Sequence, residues 1–222
     1  MSGEDWEVVG FTVRMAGLST LLLLPPGLGL AWWLARSRAR GKVFLETLIT
    51  LPLVLPPVVT GLFLLRIFGR HGLIGHWLYS LTGGDVVFTW RAVVIALAVM
   101  SLPLFVWTAR TAFEEVNPAL EDMARTLGAG EWRVFFTVSL PLARRGVLAG
   151  TVLALARALG EFGATIMVAG NIPGQTTTMS IAIYQYVQLG HDAPAWLLAS
   201  ISAAFAFVAV VFSRELLRRR KQ

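Results

Sequence analysis

Apolar segments of about twenty residues or more recur along this chain, and they constrain its fold more than any other feature. A helix needs about 20 apolar residues to cross the hydrocarbon core of a bilayer. Only 14% of the residues are charged, against roughly 25% in soluble domains. The sequence therefore predicts an all-α polytopic membrane protein. The predicted spans are residues 8–35, 43–68, 90–112, 142–170 and 196–214, with 176–189 as a sixth, shorter helix.

Prolines interrupt the first two of these segments. Pro25 and Pro26 lie inside the first and are expected to kink it. Pro56 and Pro57 lie in the middle of the second, followed by Gly61, and are expected to break the helix. Irregular backbone at that depth is stable only where it packs within protein or lines a cavity. Two interpretations stay open for this break, a wall of a translocation pathway or a structural kink at a helix crossing.

Basic residues are concentrated at the ends of the apolar segments, so the net charge of +6 does not require a nucleic-acid partner. Arg36, Arg38, Arg40 and Lys42 follow the first span with no acid among them, and residues 218–221 follow the last. Such clusters favour the cytoplasmic side of a membrane. We therefore expect the N-terminus outside and the C-terminus in the cytoplasm.

Arg157 and Glu161 fall near the centre of the predicted fourth span. Charges at that depth are costly and usually face the bundle interior or a watery path. Since the two residues are four apart, they are expected to pair on one helix face. We favour a role in packing or gating over a positive point on an anion route, because Glu161 would cancel the attraction. Gly163 is small enough to allow close helix contact there.

Charged and apolar residues are regularly mixed over a long stretch between the third and fourth spans, EDMARTLGAGEWRVFFTVSLP, residues 121–141. Residues 118–127 are predicted to form a short helix, because Asn117 is a good N-cap and Pro118 suits the first helical position. Gly128 is expected to end it. This mixture predicts either a projection that docks into a soluble partner or an interfacial loop on the lipid headgroups.

A second amphipathic piece is predicted over residues 131–139. It is expected to place Trp132, Phe135 and Phe136 largely on one side, and Pro141 is expected to break it. Residues 69–91 form a predicted outside segment with a short amphipathic helix at 74–81. His71 and His76 in that segment lack a helical partner or carboxylate, so no metal site is predicted.

Catalytic constellations are missing from the sequence. There is no cysteine, and no glycine-rich phosphate loop of the Walker type occurs. We therefore predict that the chain is not an enzyme and carries no cofactor of its own.

The spacing of one motif resembles a known family signature. Asp122-Met123-Ala124, three residues, Gly128 and then Leu140-Pro141 resemble the EAA signature of ABC importer permeases, with Asp122 in the glutamate position and the bulkier Met123 in an alanine position. LPLVLPPVVTG, RTLGAGEWRVFFTVSLPL, ARALGEFGATI and NIPGQT are similar to the permease subunits of bacterial molybdate importers. GEFGAT is shared with sulfate and thiosulfate permeases.

The resemblance implies a type I, MetI-like permease fold as one transmembrane domain over residues 1–222, with a cytoplasmic coupling segment at 114–141. It implies a multi-pass protein of the bacterial cytoplasmic (inner) membrane that pairs with a second copy of itself. Two ATPase subunits on the cytoplasmic side would bind ATP and Mg²⁺, and an external binding protein would deliver molybdate. The residues expected to couple to the ATPase are Glu121, Asp122, Met123, Ala124, Arg125, Leu127, Gly128, Leu140 and Pro141.

The expected transported ion is molybdate or tungstate, which the sequence does not separate. Pathway or gate residues are expected among Pro56, Pro57, Gly61, Ser101, Arg157, Glu161, Gly163 and Thr165. Ser101 and Thr165, with Thr60, are chosen for their polarity at membrane depth, as weak contacts for a passing anion. The alternatives are a sulfate or thiosulfate permease, a stand-alone channel or secondary transporter, and an intramembrane enzyme.

Overall fold

The computed structural model describes residues 3–37 and 39–218, and over these residues the chain forms helices without a β-strand. The predicted all-α class is confirmed. Arg38 and residues 219–221, which belong to the two predicted basic clusters, lie outside the described residues.

The helices follow one another with short connections. They are α1 (Gly3–Arg36), α2 (Lys42–Val54), α3 (Pro57–Phe68), α4 (Gly75–Thr82), α5 (Trp90–Glu114), α6 (Pro118–Thr126), α7 (Glu131–Val134), a π-helical turn (Phe135–Ser139), α8 (Leu140–Leu159), α9 (Gly163–Ala169), α10 (Met179–Gln188) and α11 (Asp192–Arg218). Four helical stretches in the described part are long and apolar enough to cross a membrane: α1, α5, residues 131–159 and α11. The bent pair α2–α3 supplies a fifth crossing if it counts as one span.

The helix α5 packs against both α1 and α8. Small side chains allow these three helices to approach closely. Ala96 and Ala109 on α5 are fully buried. Gly27 on α1 leaves room for the ring of Phe105, because a Cβ at Gly27 would lie 2.6 Å from that ring. Close approach through small residues is how membrane helices associate without a hydrophobic driving force between them.

The break predicted in the second span is confirmed. α2 ends at Val54, α3 begins at Pro57, and the two helices are bent by 114°. Pro57 occupies the first turn of α3, where its missing N–H leaves no hydrogen bond unmade. By contrast, α1 continues as one helix through Pro25 and Pro26.

The predicted fourth span is wrong in its position. Instead of running from 142 to 170, helix begins at Glu131 and continues through the π-helical turn to Leu159. Pro141 does not break it, because the wider π turn resets the hydrogen-bond register just before the proline, with Leu140 N–H donating to Phe135 O. Glu161 therefore lies beyond the end of α8, in a short break before α9, and not at mid-helix.

The bundle has two distinct ends. Arg36 at the end of α1 contacts α6 at one end, whereas the start of α1 packs near α10, where Tyr186 O–H donates to Asp5. α1 has 34 residues, so its length is about 51 Å and exceeds a hydrocarbon core of about 30 Å. The helix α1 is therefore long enough to extend beyond the apolar layer.

Candidate functional site

The first half of the coupling segment folds as the sequence predicts. The side chain of Asn117 accepts a hydrogen bond from Ala119 N–H at 3.0 Å, and α6 ends at Thr126. Gly128 follows with φ +85°, a conformation that costs side chains other than glycine about 1–2 kcal/mol. The glycine therefore sets the direction in which the chain leaves α6.

Opposite sides of α6 have opposite environments. The side chain of Glu121 is 1% exposed, whereas Met123 is 61% and Leu127 is 86% exposed. At 100° per residue these two apolar side chains lie about 200° and 240° around the helix from Glu121. One face of α6 is thus held against the bundle, and the other presents apolar surface outward.

The second half presents a further apolar pair. Trp132 and Phe136 are exposed and stack on each other, with ring centroids 6.3 Å apart. Phe135 is buried, and its ring packs edge-on against Trp32 at 5.3 Å and near Phe113 at 5.9 Å. The ring of Phe135 also contacts that of Phe136, with centroids 4.9 Å apart, so the three aromatic residues lie largely on one side as predicted, and Phe135 alone is buried in the bundle.

Arg125 ties the two halves of the segment together. Its guanidinium donates to Glu131 at 2.8 Å and to Asp122 at 2.8 Å. The hydrogen bond with Glu131 raises the pKa of Arg125 and lowers the pKa of Glu131 below its ordinary range. This ion pair closes the turn at Gly128.

The buried Glu121 carboxylate is held from two other elements. It accepts hydrogen bonds from Arg36 Nε and Nη2, each at 2.8 Å, and from Ser139 Oγ at 2.7 Å. Glu121 is one of the residues expected from the sequence to couple to an ATPase, but neither partner was predicted. Arg36 lies 85 residues away in sequence, so no local pattern connects the two residues.

Among the other predicted coupling residues, Asp122 is exposed and Ala124 is half-buried on α6. Leu140 and Pro141 lie in the first turn of α8, directly after the π turn, and Leu140 packs against the buried cluster that contains Phe135. The family-type spacing therefore covers one continuous structure from α6 to the start of α8.

The two breaks in the membrane helices pack directly on each other. A Cβ at Gly61 would lie 2.8 Å from Ala164 O, and one at Gly163 would lie 2.8 Å from the Cβ of Pro57. The structure thus brings together Pro57, Gly61 and Gly163, three of the predicted pathway residues, and Pro56 lies in the bend itself.

Glu161 bridges the break between α8 and α9. Its carboxylate pairs with Arg157 Nη2 at 2.7 Å and accepts a hydrogen bond from Ala164 N–H at 2.8 Å. Glu161 is 2% exposed and the Arg157 side chain is 26% exposed. The predicted pairing is confirmed, although the carboxylate connects two helices rather than two turns of one.

Three residues that the sequence singled out for their polarity, Thr60, Ser101 and Thr165, have buried hydroxyls that lack a hydrogen-bond partner in the described part of the chain. In this conformation the hydroxyls are enclosed within helix packing.

Comparison with known proteins decides the family. The model of the family described as "Binding-protein-dependent transport system inner membrane component" matches residues 27–222. The chain belongs to this family. The match includes the coupling segment and both helix breaks, so the geometry described above is that of a multi-pass inner-membrane permease.

Relatives within this permease family are similar over nearly the whole chain. The molybdenum transport system permease protein ModB of Escherichia coli K12 is 47% identical over 98% of this chain and 96% of its own length. The sulfate transport system permease protein CysW of Synechocystis is 37% identical over 94% of this chain and 75% of its own length. A permease chain in the crystal structure of a bacterial alginate ABC transporter shares the fold, with a TM-score of 0.73, 19% identity, and coverage of 99% of this chain and 80% of that one.

Proposed function

We propose that this permease is the membrane-spanning subunit of an ATP-driven importer for molybdate, or for the similarly sized tungstate, delivered by an external binding protein. The high identity to a permease named for molybdenum transport supports the ion. The outward-facing apolar surface of the coupling segment carries the proposal of ATP-driven transport, because Met123, Leu127 and Trp132 are exposed together on one segment whose opposite side is held against the bundle.

The apolar surface fits a cleft of an ATPase subunit. Met123, Leu127 and Trp132 are large, exposed and anchored from behind by the bundle, which matches a helix that inserts side chains into a groove. Since the sequence has no phosphate-binding loop, ATP and Mg²⁺ would bind in that partner. Two copies of the permease would each dock one ATPase subunit.

Orientation follows from the basic residues at the coupling end. Arg36, Arg40, Arg144, Arg145 and Arg218 all lie at or near that end of the described helices. The positive-inside rule places this end in the cytoplasm. The N-terminus of the chain would then lie outside and its C-terminus inside.

Transport would proceed by alternating access. Closure of the ATPase pair would move the two coupling segments and shift the bundles between two packings, biased by the bound nucleotide. The contact between the α2–α3 and α8–α9 breaks is a natural place for the change, because it joins short helices rather than long rigid ones. Ser101 and Thr165 would then offer weak contacts only, since tight binding of a dianion would trap it.

The test is ATP hydrolysis and uptake by the complex reconstituted in vesicles with its ATPase and binding protein. Binding protein loaded with molybdate or tungstate should stimulate hydrolysis and import, and sulfate-loaded protein should not. Stimulation by sulfate alone would assign the chain to the sulfate-type permeases, which the 37% identity to CysW keeps as the second candidate.

Docking is tested separately with two matched substitutions. Leu127→Glu should abolish co-purification with the ATPase subunit, because a charge would enter an apolar cleft. Leu73→Glu, at a residue 84% exposed in the turn before α4, should leave co-purification intact. Failure of the unaltered chain to co-purify with any ATPase would favour a stand-alone channel or secondary transporter.

A further inference from the structure

The ion pair between Arg36 and Glu121 joins more elements than any other polar contact in the coupling segment. Arg36 is the last residue of α1, and its guanidinium donates one hydrogen bond to each carboxylate oxygen of Glu121 on α6. Its Nη2 also donates to Val116 O at 3.2 Å, in the connection between α5 and α6. Ser139, directly before α8, donates to the same carboxylate. One buried carboxylate therefore connects α1, α6 and α8.

The burial of an ion pair is by itself weak evidence for a role in stability. Burying an ion pair removes two charges from water, and apolar residues of similar volume often stabilise a protein as well or better. What a two-pronged guanidinium–carboxylate contact supplies is a fixed relative orientation of the groups it joins. An apolar contact at the same place would allow α6 to slide or rotate against α1.

The position of Glu121 on α6 suggests why the orientation of α6 against α1 would matter. Met123 and Leu127, the exposed side chains proposed to enter the ATPase cleft, lie on the side of α6 opposite Glu121. A displacement imposed on the outer face therefore reaches the bundle through the inner face, where the rigid polar contact is Arg36–Glu121–Ser139.

We propose that Arg36, Glu121 and Ser139 form the joint that transmits movement of the coupling segment to α1 and α8. This inference rests on the proposed function and adds to it two positioning residues. Arg36 lies outside the segment that carries the family-type signature, and Ser139 lies within that segment at a position for which the signature specifies no residue. The joint sets how much ion is moved for each ATP hydrolysed, and it does not determine whether the ATPase binds.

The decisive variant is Arg36→Lys, which keeps the charge but loses the two-pronged geometry. In reconstituted complex it should co-purify with the ATPase and hydrolyse ATP. The ions imported per ATP should fall at least about fivefold, the lower end of typical coupling between sites.

Ser139→Ala, which removes one donor and no charge, should lower the same ratio by less. The matched control is Arg110→Lys, because Arg110 is similarly exposed, at 25% against 21%, and its ion pairs join α5 to Glu46 on α2 and to Glu114 on α5 itself.

The outcomes separate the joint from the underlying function. An unchanged ratio in Arg36→Lys, with only a lower unfolding temperature, would show that the contact is structural and would overturn the joint. An equal fall in the ions imported per ATP in Arg110→Lys would also overturn the joint, because the effect would then not be specific to the Arg36–Glu121 pair. If the unaltered complex neither binds an ATPase nor imports, the proposed function fails, and the joint fails with it. If Arg36→Lys does not fold, the ratio measured for Ser139→Ala decides.

Discussion

At the scale of single residues, backbone conformation and buried charge explain why certain positions tolerate little change. Gly128 has a positive φ with open space around it, so its requirement for glycine is conformational and not steric. Glu161 is nearly fully buried, and its charge is tolerated because Arg157 and a backbone N–H both donate to it. These two residues lead to different predictions.

Gly128→Ala should weaken association with the ATPase by about 1–2 kcal/mol, the cost of holding a side-chain residue at φ +85°. Gly130→Ala is the matched control, since Gly130 has an ordinary φ of −69° and also lies in open space. Titration of the purified permease with its ATPase measures both affinities. Equal affinities for the two variants would contradict the conformational explanation.

Arg157→Met should destabilise the protein by a few kcal/mol, because it leaves the Glu161 carboxylate buried without its charged partner. Glu161→Gln should cost less, since Arg157 retains partial contact with water. The double variant should recover part of the stability lost in Arg157→Met, which a double-mutant cycle of unfolding midpoints in detergent measures. Simple additivity would mean that the two groups act independently.

At the scale of elements, the packing of α3 on α9 is the contact in which close approach matters most. Gly61 on α3 lies so close to α9, and Gly163 on α9 so close to α3, that there is no room for a methyl group at either position. These close contacts join α3 and α9 and none of the four long helices, so the two short helices can change their packing without unfolding a full span.

Gly61→Ala should therefore lower stability by about 1–3 kcal/mol through overpacking, because the new Cβ would lie 2.7 Å from the Cβ of Met167 and 2.8 Å from Ala164 O. Gly17→Ala on α1 is the control, since nothing lies within 4 Å of its Cβ position and alanine favours a helix. Thermal unfolding in detergent compares the two. A Gly61→Ala protein as stable as the Gly17→Ala protein would show that α3 and α9 are loosely packed.

At the scale of the whole molecule, α4 and the coupling segment lie at opposite ends of the bundle. Each end carries a large exposed apolar side chain, Leu81 at 80% and Leu127 at 86%. The chain has no cysteine of its own, so an introduced cysteine reports on one position alone.

In whole cells, a membrane-impermeant maleimide should label Leu81→Cys and not Leu127→Cys, because the positive-inside rule places the coupling end in the cytoplasm. In inside-out vesicles the pattern should reverse. Labelling of Leu127→Cys from outside would invert the proposed topology and remove the basis for ATPase docking.

Local sequence determined much of this protein. Composition determined the membrane class, the pair Pro56-Pro57 determined the helix break, and Asn117, Pro118 and Gly128 determined the bounds of α6. Each of these effects acts within a few residues, so a linear reading of the chain finds it. The motif spacing resembled a family that the comparisons confirmed.

Only the tertiary structure decided which distant groups meet. The helix that passes through Pro141, the inward turn of Phe135 and the end of α8 before Glu161 all depend on packing against other helices. The Arg36–Glu121 contact joins residues 85 positions apart. No local propensity predicts this contact, because the two side chains come together only after folding has brought the end of α1 against α6.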